Sequence, residues 1–327
     1  MKKFVRLAMA TVVSMAVLPV GVAAADVAWP GKQPITMLVP SGAGSSPDTM
    51  VRVVAEEAGK ILQQTIVVQN RPGASGNLGT NLVAKAPADG YTLGVSFTGP
   101  LVNNSVISKS LPYNPFKDLT PLTLAAHQYN VLVVPASSSI KSLADLVEAS
   151  KRPDAKLNFP TTGAGTVSHL AVELLMDRVG GKALHVPYQS SPSAVTSLLS
   201  GDTNFAALPP VAVMPMIKDG RLRAIAAVSA KRLSFLPDVP TTAELGYAGV
   251  EGSGWIGFIA PAGLPADVQN KLHSALVTAL KNPQVEQRLQ SMYMEAAPQT
   301  SAEFAQYMQE ELKRWGPLIK RLDLVEK

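Results

Sequence analysis

Cysteine is absent from this 327-residue sequence. The chain therefore has no disulfide, no thiol nucleophile and no cysteine-ligated metal site. Histidine is also scarce, and none of its four occurrences pairs with another at metal-ligand spacing. We therefore predict no metal site and no cofactor.

Long apolar runs are absent from all but the N-terminus. A basic start precedes the apolar segment 7–18, and three alanines end at Ala25. This order predicts a secretory signal peptide over residues 1–25, with cleavage after Ala25 and export to the periplasm. A membrane anchor is the alternative, but Pro19 and Gly21 interrupt the run.

The chain after residue 25 has no strong excess of positive or negative charge. Without the three basic residues of segment 1–25, 26 basic residues face 24 acidic ones, which gives a formal charge of +2. No basic stripe with interleaved aromatic residues occurs, so nucleic acid is not an expected partner. We expect an exported, unanchored monomer.

The richest motif is PITMLVPSGAGSSPDTMVR, which begins with an apolar run typical of a buried strand, Ile35–Val39. A loop of glycine and serine, residues 41–46, follows. Ser46 is the predicted N-cap of the next helix, with Pro47 at its first position and Asp48 in its first turn. Such a loop directs backbone N–H groups and a helix dipole at one spot, which suits a phosphate or a carboxylate.

Apolar runs alternate with helical patterns along the chain, which predicts an α/β fold with parallel sheets and helices on both faces. Candidate strands are Ile35–Val39, Thr65–Gln69, Thr92–Phe97, Val131–Val134, Leu157–Phe159, Leu184–Val186, Asn204–Ala207, Leu222–Val228 and Trp255–Ile259. Candidate helices start near Pro47, Asn77, Ser142, Val167, Pro192, Pro210, Pro265, Pro283 and Ser301.

The pattern of strand, glycine-rich loop and helix occurs twice, near residues 34 and 156. Two α/β lobes with a glycine-rich loop at each strand end share a cleft, where ligands of open sheets bind. The predicted boundaries are lobe 1 over residues 26–128 plus 253–327 and lobe 2 over residues 129–252.

Enzyme signatures are incomplete in this sequence. The loop GAGSSP lacks the third glycine of a dinucleotide site, and Gln69-Asn70 stands where an acidic ribose ligand is expected. No phosphate loop, Gly-x-Ser-x-Gly elbow or His-Glu-x-x-His helix occurs. We predict no catalytic residue, although an enzyme acting on a carboxylated metabolite is an alternative.

Two residues beside the glycine-rich loops allow two interpretations each. Asp48 is either an ordinary first-turn acid or a residue that holds water or loop N–H groups beside the anion. His169 either supports the second loop or touches the ligand, and support is the favoured interpretation. Arg52 is expected to pair with an acid on the helix surface rather than to reach the cleft.

Four long motifs resemble the substrate-binding proteins of tripartite tricarboxylate transporters, also called the Bug family. They are VPSGAGSSPDTMVR, NRPGASGNLGTNLVAKAPADGYTL, GAGTVSHLAVELL with HVPYQSSPSAVTSLLSGD, and LRAIAAVSAKR with LPDVPTTAELGY and GWIGFIAPAGLP. The resemblance implies a type II-like, two-lobed periplasmic binding protein that closes over a small carboxylate and delivers it to membrane permease subunits. A ligand-presenting sensor component is the alternative.

The resemblance also implies a set of ligand contacts by position. Those of lobe 1 are Ser41, Gly42, Ala43, Gly44, Ser45, Asp48 through water, Ser96, Thr98 and Gly99. Those of lobe 2 are Gly163, Ala164, Gly165, Thr166, His169, Tyr188, Ser190 and Leu208.

The departures from the family pattern concern three serines and one missing acid. Ser45, Ser75 and Ser190 stand where relatives usually carry glycine. No acid follows the strand near Leu208, so the ammonium of an amino acid would lack a partner. We therefore expect a mono- or dicarboxylate with an apolar or aromatic body.

Overall fold

The computed structural model describes residues 29–250 and 252–326, so the predicted signal peptide lies outside the described residues. The strands are β1 (Ile35–Val39), β2 (Ile66–Asn70), β3 (Thr92–Phe97), β4 (Leu119–Pro135), β5 (Asn158–Thr161), β6 (Leu184–Pro187), β7 (Ala206–Leu208), β8 (Leu222–Val228), β9 (Ser253–Pro261) and β10 (Glu295–Ala296).

The α-helices are α1 (Ser46–Leu62), α2 (Asn77–Ala84), α3 (Asn104–Ile107), α4 (Leu143–Lys151), α5 (Val167–Val179), α6 (Ser191–Ser200), α7 (Pro210–Lys218), α8 (Ala266–Leu280), α9 (Pro283–Ser291) and α10 (Ser301–Arg321). A 3₁₀ turn spans Ala74–Gly76, and a π-helical turn spans Gly99–Asn103. Within the described ranges, no helix is both long and apolar enough to cross a membrane.

The main sheet has the strand order β10-β4-β9-β3-β1-β2. Strand β1 is parallel to β2 and β3, whereas β9 is antiparallel to β3 and β4. Strands β7 and β8 pair antiparallel with the last residues of β4, and β5 and β6 form a separate parallel pair. The predicted α/β fold is confirmed, with sheets that are mixed rather than wholly parallel.

Strand β4 is much longer than the predicted strand Val131–Val134. It runs for 17 residues, because residues 119–129 pair with β9 and residues 130–135 pair with β7 and β8. Its first half contains proline, threonine, histidine and glutamine, so the apolar pattern that marks a buried strand is interrupted. Tertiary pairing, and not local composition, extends the strand.

Buried side chains lie on both faces of each sheet section. Around β1 and β9, Met37 and Phe258 enter one apolar cluster, whereas their neighbours Leu38 and Ile259 enter another. Around the end of β4, alternate residues again divide between two clusters. Helices cover both faces, as alternating burial along a strand requires.

Helix α10 packs against two different apolar clusters. Its first half contributes Phe304 and Met308 to the cluster beside β9, and its second half contributes Trp315 and Ile319 to the cluster beside α5. Its start is fixed by a capping box in which Thr300 and Glu303 each bond the other's backbone N–H.

Candidate functional site

A cavity lies between the N-terminal ends of α1, α5 and α6 and residues of the paired strands β4 and β9. We call it the cleft cavity. Its volume is about 60 Å³, which is room for roughly five waters. It is lined by Ser41, Ser45, Ser46, Pro47, Phe97, Thr98, Gly99, Gln128, Asn130, Thr162, Thr166, Val167, Ser168, Ser191, Pro209, Gly254 and Trp255.

Helix N-termini supply the positive electrostatic potential of the cleft cavity. Ser46 begins α1, Val167 begins α5 and Ser191 begins α6, and all three residues line the cavity. First-turn N–H groups have no intrahelical acceptor, and each helix carries partial positive charge at this end. No lining residue is charged. The cavity therefore suits an anion held by neutral donors.

Four buried polar atoms of the lining have no hydrogen-bond partner among the described residues. They are Oγ of Ser41 and Ser46, Oγ1 of Thr98 and Oε1 of Gln128. Buried polar atoms are paired in the great majority of cases, so these four mark positions where a ligand or a water binds. Three of them are hydroxyls that can donate to a carboxylate.

The remaining wall of the cleft cavity is apolar. Phe97, Val167, Pro209 and Trp255 line it, and the Trp255 indole is held by a hydrogen bond from Nε1 to Oε2 of Glu311 (3.1 Å). This wall can contact a hydrocarbon body while the hydroxyls contact its charged ends.

Asp48 supports the first loop and does not line the cavity. Its Oδ2 accepts from the backbone N–H of Gly44 (2.9 Å), and its Oδ1 accepts from Asn70 (2.9 Å) and from Nε of Arg52 (3.0 Å). Burial raises the pKa of the carboxyl, but the hydrogen bonds from Arg52, Gly44 and Asn70 outweigh it, so the pKa is lowered. Arg52 thus pairs with an acid of its own helix, as predicted, although this acid is buried and not on the helix surface.

The predicted cap of α1 was wrong by one residue. Ser45 is the N-cap, with φ −72° and ψ 160°, and its side chain makes no capping hydrogen bond within α1. The helix begins at Ser46 because Thr49 donates its N–H to the carbonyl of Ser45. The Ser46 hydroxyl is therefore left for the cavity.

His169 supports the second loop, which was the favoured interpretation. Its Nδ1 accepts from the backbone N–H of Gly165 (3.2 Å), and its Nε2 lies 3.5 Å from Oε1 of Glu173. Its ring stacks on His185 with a centroid distance of 4.0 Å. Burial, with a smaller contribution from His169, lowers the pKa of His185 to about 3. The stacked His169–His185 pair therefore supports the second loop.

The cleft cavity brings together five of the predicted contacts: Ser41, Ser45, Thr98, Gly99 and Thr166. The other predicted contacts lie outside its lining: Gly42, Ala43, Gly44, Asp48, Ser96, Gly163, Ala164, Gly165, His169, Tyr188, Ser190 and Leu208. Some have other partners, since Ser96 bonds Thr80 and Ser190 caps α6 through the N–H of Ser193. Their contact with a ligand remains a prediction.

The prediction from sequence missed lining residues on the two long strands and at three helix starts. Gln128 and Asn130 are polar residues spaced by two on β4, a signal that a longer predicted strand would have shown. Gly254 and Trp255 come from β9, which pairs with β4 there. The remaining ones are Ser46, Pro47, Phe97, Thr162, Val167, Ser168, Ser191 and Pro209.

Acidic and histidine side chains do not gather into a metal site. Among residues 29–250 and 252–326, no group of three or more histidine, aspartate or glutamate residues could hold a metal ion.

The family model described as the tripartite tricarboxylate transporter family receptor matches residues 50–324. Protein BugT of Bordetella pertussis strain Tohama I is 33% identical over 313 residues, which are 94% of this chain and 96% of that protein. The family model therefore includes the second glycine-rich loop and begins beyond the first, which ends at Ser46.

Three solved structures share the fold closely. The periplasmic binding protein BugD has a TM-score of 0.86 at 28% identity and covers 90% of this chain and 99% of its own. Rpa4515 of R. palustris, solved with adipate, has a TM-score of 0.86 at 28% identity and covers 90% and 98%. MatC of Rhodopseudomonas palustris, solved with bound malate, has a TM-score of 0.83 at 29% identity and covers 90% and 100%.

Proposed function

This chain belongs to the tripartite tricarboxylate transporter receptor family, and we propose that it captures a small organic carboxylate in the cleft cavity. It is a solute-binding protein of this family. The observation that carries the proposal is the convergence of three helix N-termini on a cavity with unpartnered hydroxyls and no charged lining residue.

The ligand that fits best is a dicarboxylate or a monocarboxylate with an apolar body. One carboxylate accepts from Ser46, Thr98 and the first-turn N–H groups, and the hydrocarbon part rests on Phe97 and Trp255. Adipate and malate, bound by two relatives of known structure, are dicarboxylates. No cavity acid is present to pair with an ammonium, so amino acids fit poorly.

We further propose that two lobes close around this ligand. Lobe 1 comprises residues 26–128 and 253–327, and lobe 2 comprises residues 129–252. Strand β4 is continuous across the boundary, and residues 228–253 form the second passage between β8 and β9. Ligand contacts from both sides favour the closed form, because a ligand shifts a population by its differential affinity.

The proposed cellular role is delivery of the carboxylate from the periplasm to the permease subunits of a tripartite tricarboxylate transporter. Family membership and the predicted N-terminal signal peptide support it. Uptake of the best-binding carboxylate by cells, with and without the gene for this chain, tests that role separately from binding.

Calorimetric titration tests the binding proposal directly. The panel is adipate, malate, benzoate, the neutral diamide of adipate, and glutamate. We expect a carboxylate without an ammonium to bind and the diamide to fail, because neutral amides carry no charge for the helix dipoles. Binding of glutamate or the diamide alone would overturn the proposal.

A pair of variants tests whether the ligand binds in the cleft cavity. Thr98→Val removes a hydroxyl that has no protein partner, so affinity for the carboxylate should fall by about tenfold with little loss of stability. Thr196→Val is the control, since Thr196 is exposed on α6 and donates to its own helix. Equal affinity of both variants would exclude Thr98 from the site.

A further inference from the structure

We propose that Ser75 is a positioning residue that holds the two sides of the cleft together through a direct hydrogen bond, and so raises ligand affinity without touching the ligand. The inference rests on the proposed function, because closure matters only if the cleft captures a solute. Ser75 lies in the 3₁₀ turn before α2 and does not line the cleft cavity.

Four hydrogen bonds join distant segments across the cleft, and we call them the cross-cleft contacts. Ala164 donates its N–H to Oγ of Ser75 (2.9 Å), and Ser191 donates its N–H to Oγ of Ser45 (3.3 Å). The other two are Gly42 N–H to the carbonyl of Gln189 (3.0 Å) and Asn103 Nδ2 to the carbonyl of Gly165 (2.6 Å). Two of the four therefore depend on serine hydroxyls.

The second glycine-rich loop fits against the Ser75 turn without a gap. A Cβ on Gly163 would lie 2.7 Å from Cα of Ser75, and one on Gly165 would overlap Oδ1 of Asn104. Both glycines also have positive φ, 128° and 75°. The backbone of this loop is therefore packed directly against the opposite side of the cleft.

The backbone at Ser75 favours glycine, not serine. Its φ is 57° and its ψ is 29°, in the left-handed region that a Cβ disfavours. The hydroxyl does not relieve this local strain. Its only hydrogen bond among the described residues is the one that it accepts from the backbone N–H of Ala164, 89 residues away. The side chain therefore stabilises the contact across the cleft rather than its own turn.

The Ser75–Ala164 hydrogen bond changes the population of the closed form. The Ser75–Ala164 bond forms only when the two sides meet, with or without ligand, so it lowers the free energy of the closed form relative to the open form. Apparent affinity rises with the fraction of molecules that can adopt the binding conformation. Ser75 thus acts on affinity through closure, and we expect slower ligand release as well.

Two substitutions separate the hydroxyl from the backbone strain. Ser75→Gly removes both, so the melting temperature without ligand should stay equal or rise while carboxylate affinity falls by about threefold to tenfold. Ser75→Ala removes only the hydroxyl, so affinity should fall by the same factor without the gain in melting temperature. A purely structural role would instead move stability and affinity together.

The matched control is Gln63→Gly at the end of α1. Gln63 is exposed, has φ 51° and lies outside the cleft lining, so glycine relieves the same kind of strain at a remote site. We expect a higher melting temperature and unchanged affinity.

Closure itself is measured without any carboxylate by energy transfer between two dyes. Because the chain has no cysteine, Lys85→Cys beyond α2 and Lys182→Cys beyond α5 place the dyes at exposed positions on the two sides. Both Ser75 variants should shift the ligand-free distribution towards the longer distance, and Gln63→Gly should not. An unchanged distribution in both Ser75 variants would overturn the inference, even if no carboxylate bound and the proposed function failed.

Discussion

His169 and His185, at the scale of single residues, show how a stacked imidazole pair, one ring buried and the other partly buried, can support a loop. His169 accepts the N–H of Gly165 at Nδ1, so this nitrogen is unprotonated in the observed arrangement. His185 stacks against it, and its Nε2 lies 2.6 Å from Oγ1 of Thr161, which in turn accepts the N–H of Gly163. The pair therefore connects two backbone amides of one loop.

Acid should destabilise the fold through His185. The pKa of this residue is lowered to about 3 in the folded chain, so the unfolded chain binds more protons between about pH 6.5 and 3. Stability is retained above pH 6.5 and lost as the pH falls, by roughly 2 kcal/mol between pH 6.5 and 4.5.

Urea denaturation at several pH values measures this loss, and His185→Gln should flatten the profile. Burial also lowers the pKa of His127, which contributes a loss of the same sign. The lowered pKa of Asp48 also contributes stability that is lost as the pH falls, because its carboxylate must be protonated against its hydrogen bonds. An equally steep profile in His185→Gln would assign the acid sensitivity to other groups.

Helix α10, at the scale of elements, carries a buried acid between two tryptophans. Oε2 of Glu311 accepts from Nε1 of Trp255 on β9 and from Nε1 of Trp315 on α10, both at 3.1 Å. Trp255 also lines the cleft cavity. The Glu311 carboxylate thus connects α10 to a wall of the cleft cavity.

Glu311→Ala should lower the free energy of unfolding by about 2–4 kcal/mol, because it leaves two buried indole N–H groups unpaired and opens a space between them. The control is Glu310→Ala, on the exposed side of the same helix, for which we expect a change within about 0.5 kcal/mol. Chemical denaturation of both variants measures the difference. Equal losses would show that the indole contacts contribute little.

Strand β4, at the scale of the whole molecule, separates two cavities. Gln128 and Asn130 line the cleft cavity, whereas His127 and Tyr129 line a groove of about 730 Å³ on the opposite face. This rear groove is completed by residues 230–235 and 290–295. In the lobe closure proposed above, a rotation about β4 that narrows the cleft would widen the rear groove, because neighbouring side chains on a strand point to opposite faces.

A bulky side chain in the rear groove should therefore favour closure. In that proposal, Ala230→Trp fills space that closure makes available and opening removes, so carboxylate affinity should rise severalfold. Ala302→Trp, at an exposed position of α10, is the control. Calorimetry measures both, and an affinity gain in neither or in both would contradict the hinge at β4.

The elements with strong local signals were predicted well. Strands β1, β3 and β8 have the predicted bounds, and the predicted starts of most helices are correct within a residue. Predictions were poorer where pairing partners decide the structure, as in the first half of β4, in β10, and in the turn Gly99–Asn103. No local composition marks a strand that exists because another strand lies beside it.

The sequence by itself determined the α/β class, the family, and the two glycine-rich loops before α1 and α5, because periodicity, turn residues and long motifs are local properties of the chain. Only the tertiary structure decided what each loop does. The first loop places Ser41 and Ser45 in the cleft cavity, whereas Gly163 and Gly165 of the second pack against Ser75 and Asn104. Which atoms face a cavity depends on what packs against the opposite side of the backbone, and that partner is distant in sequence.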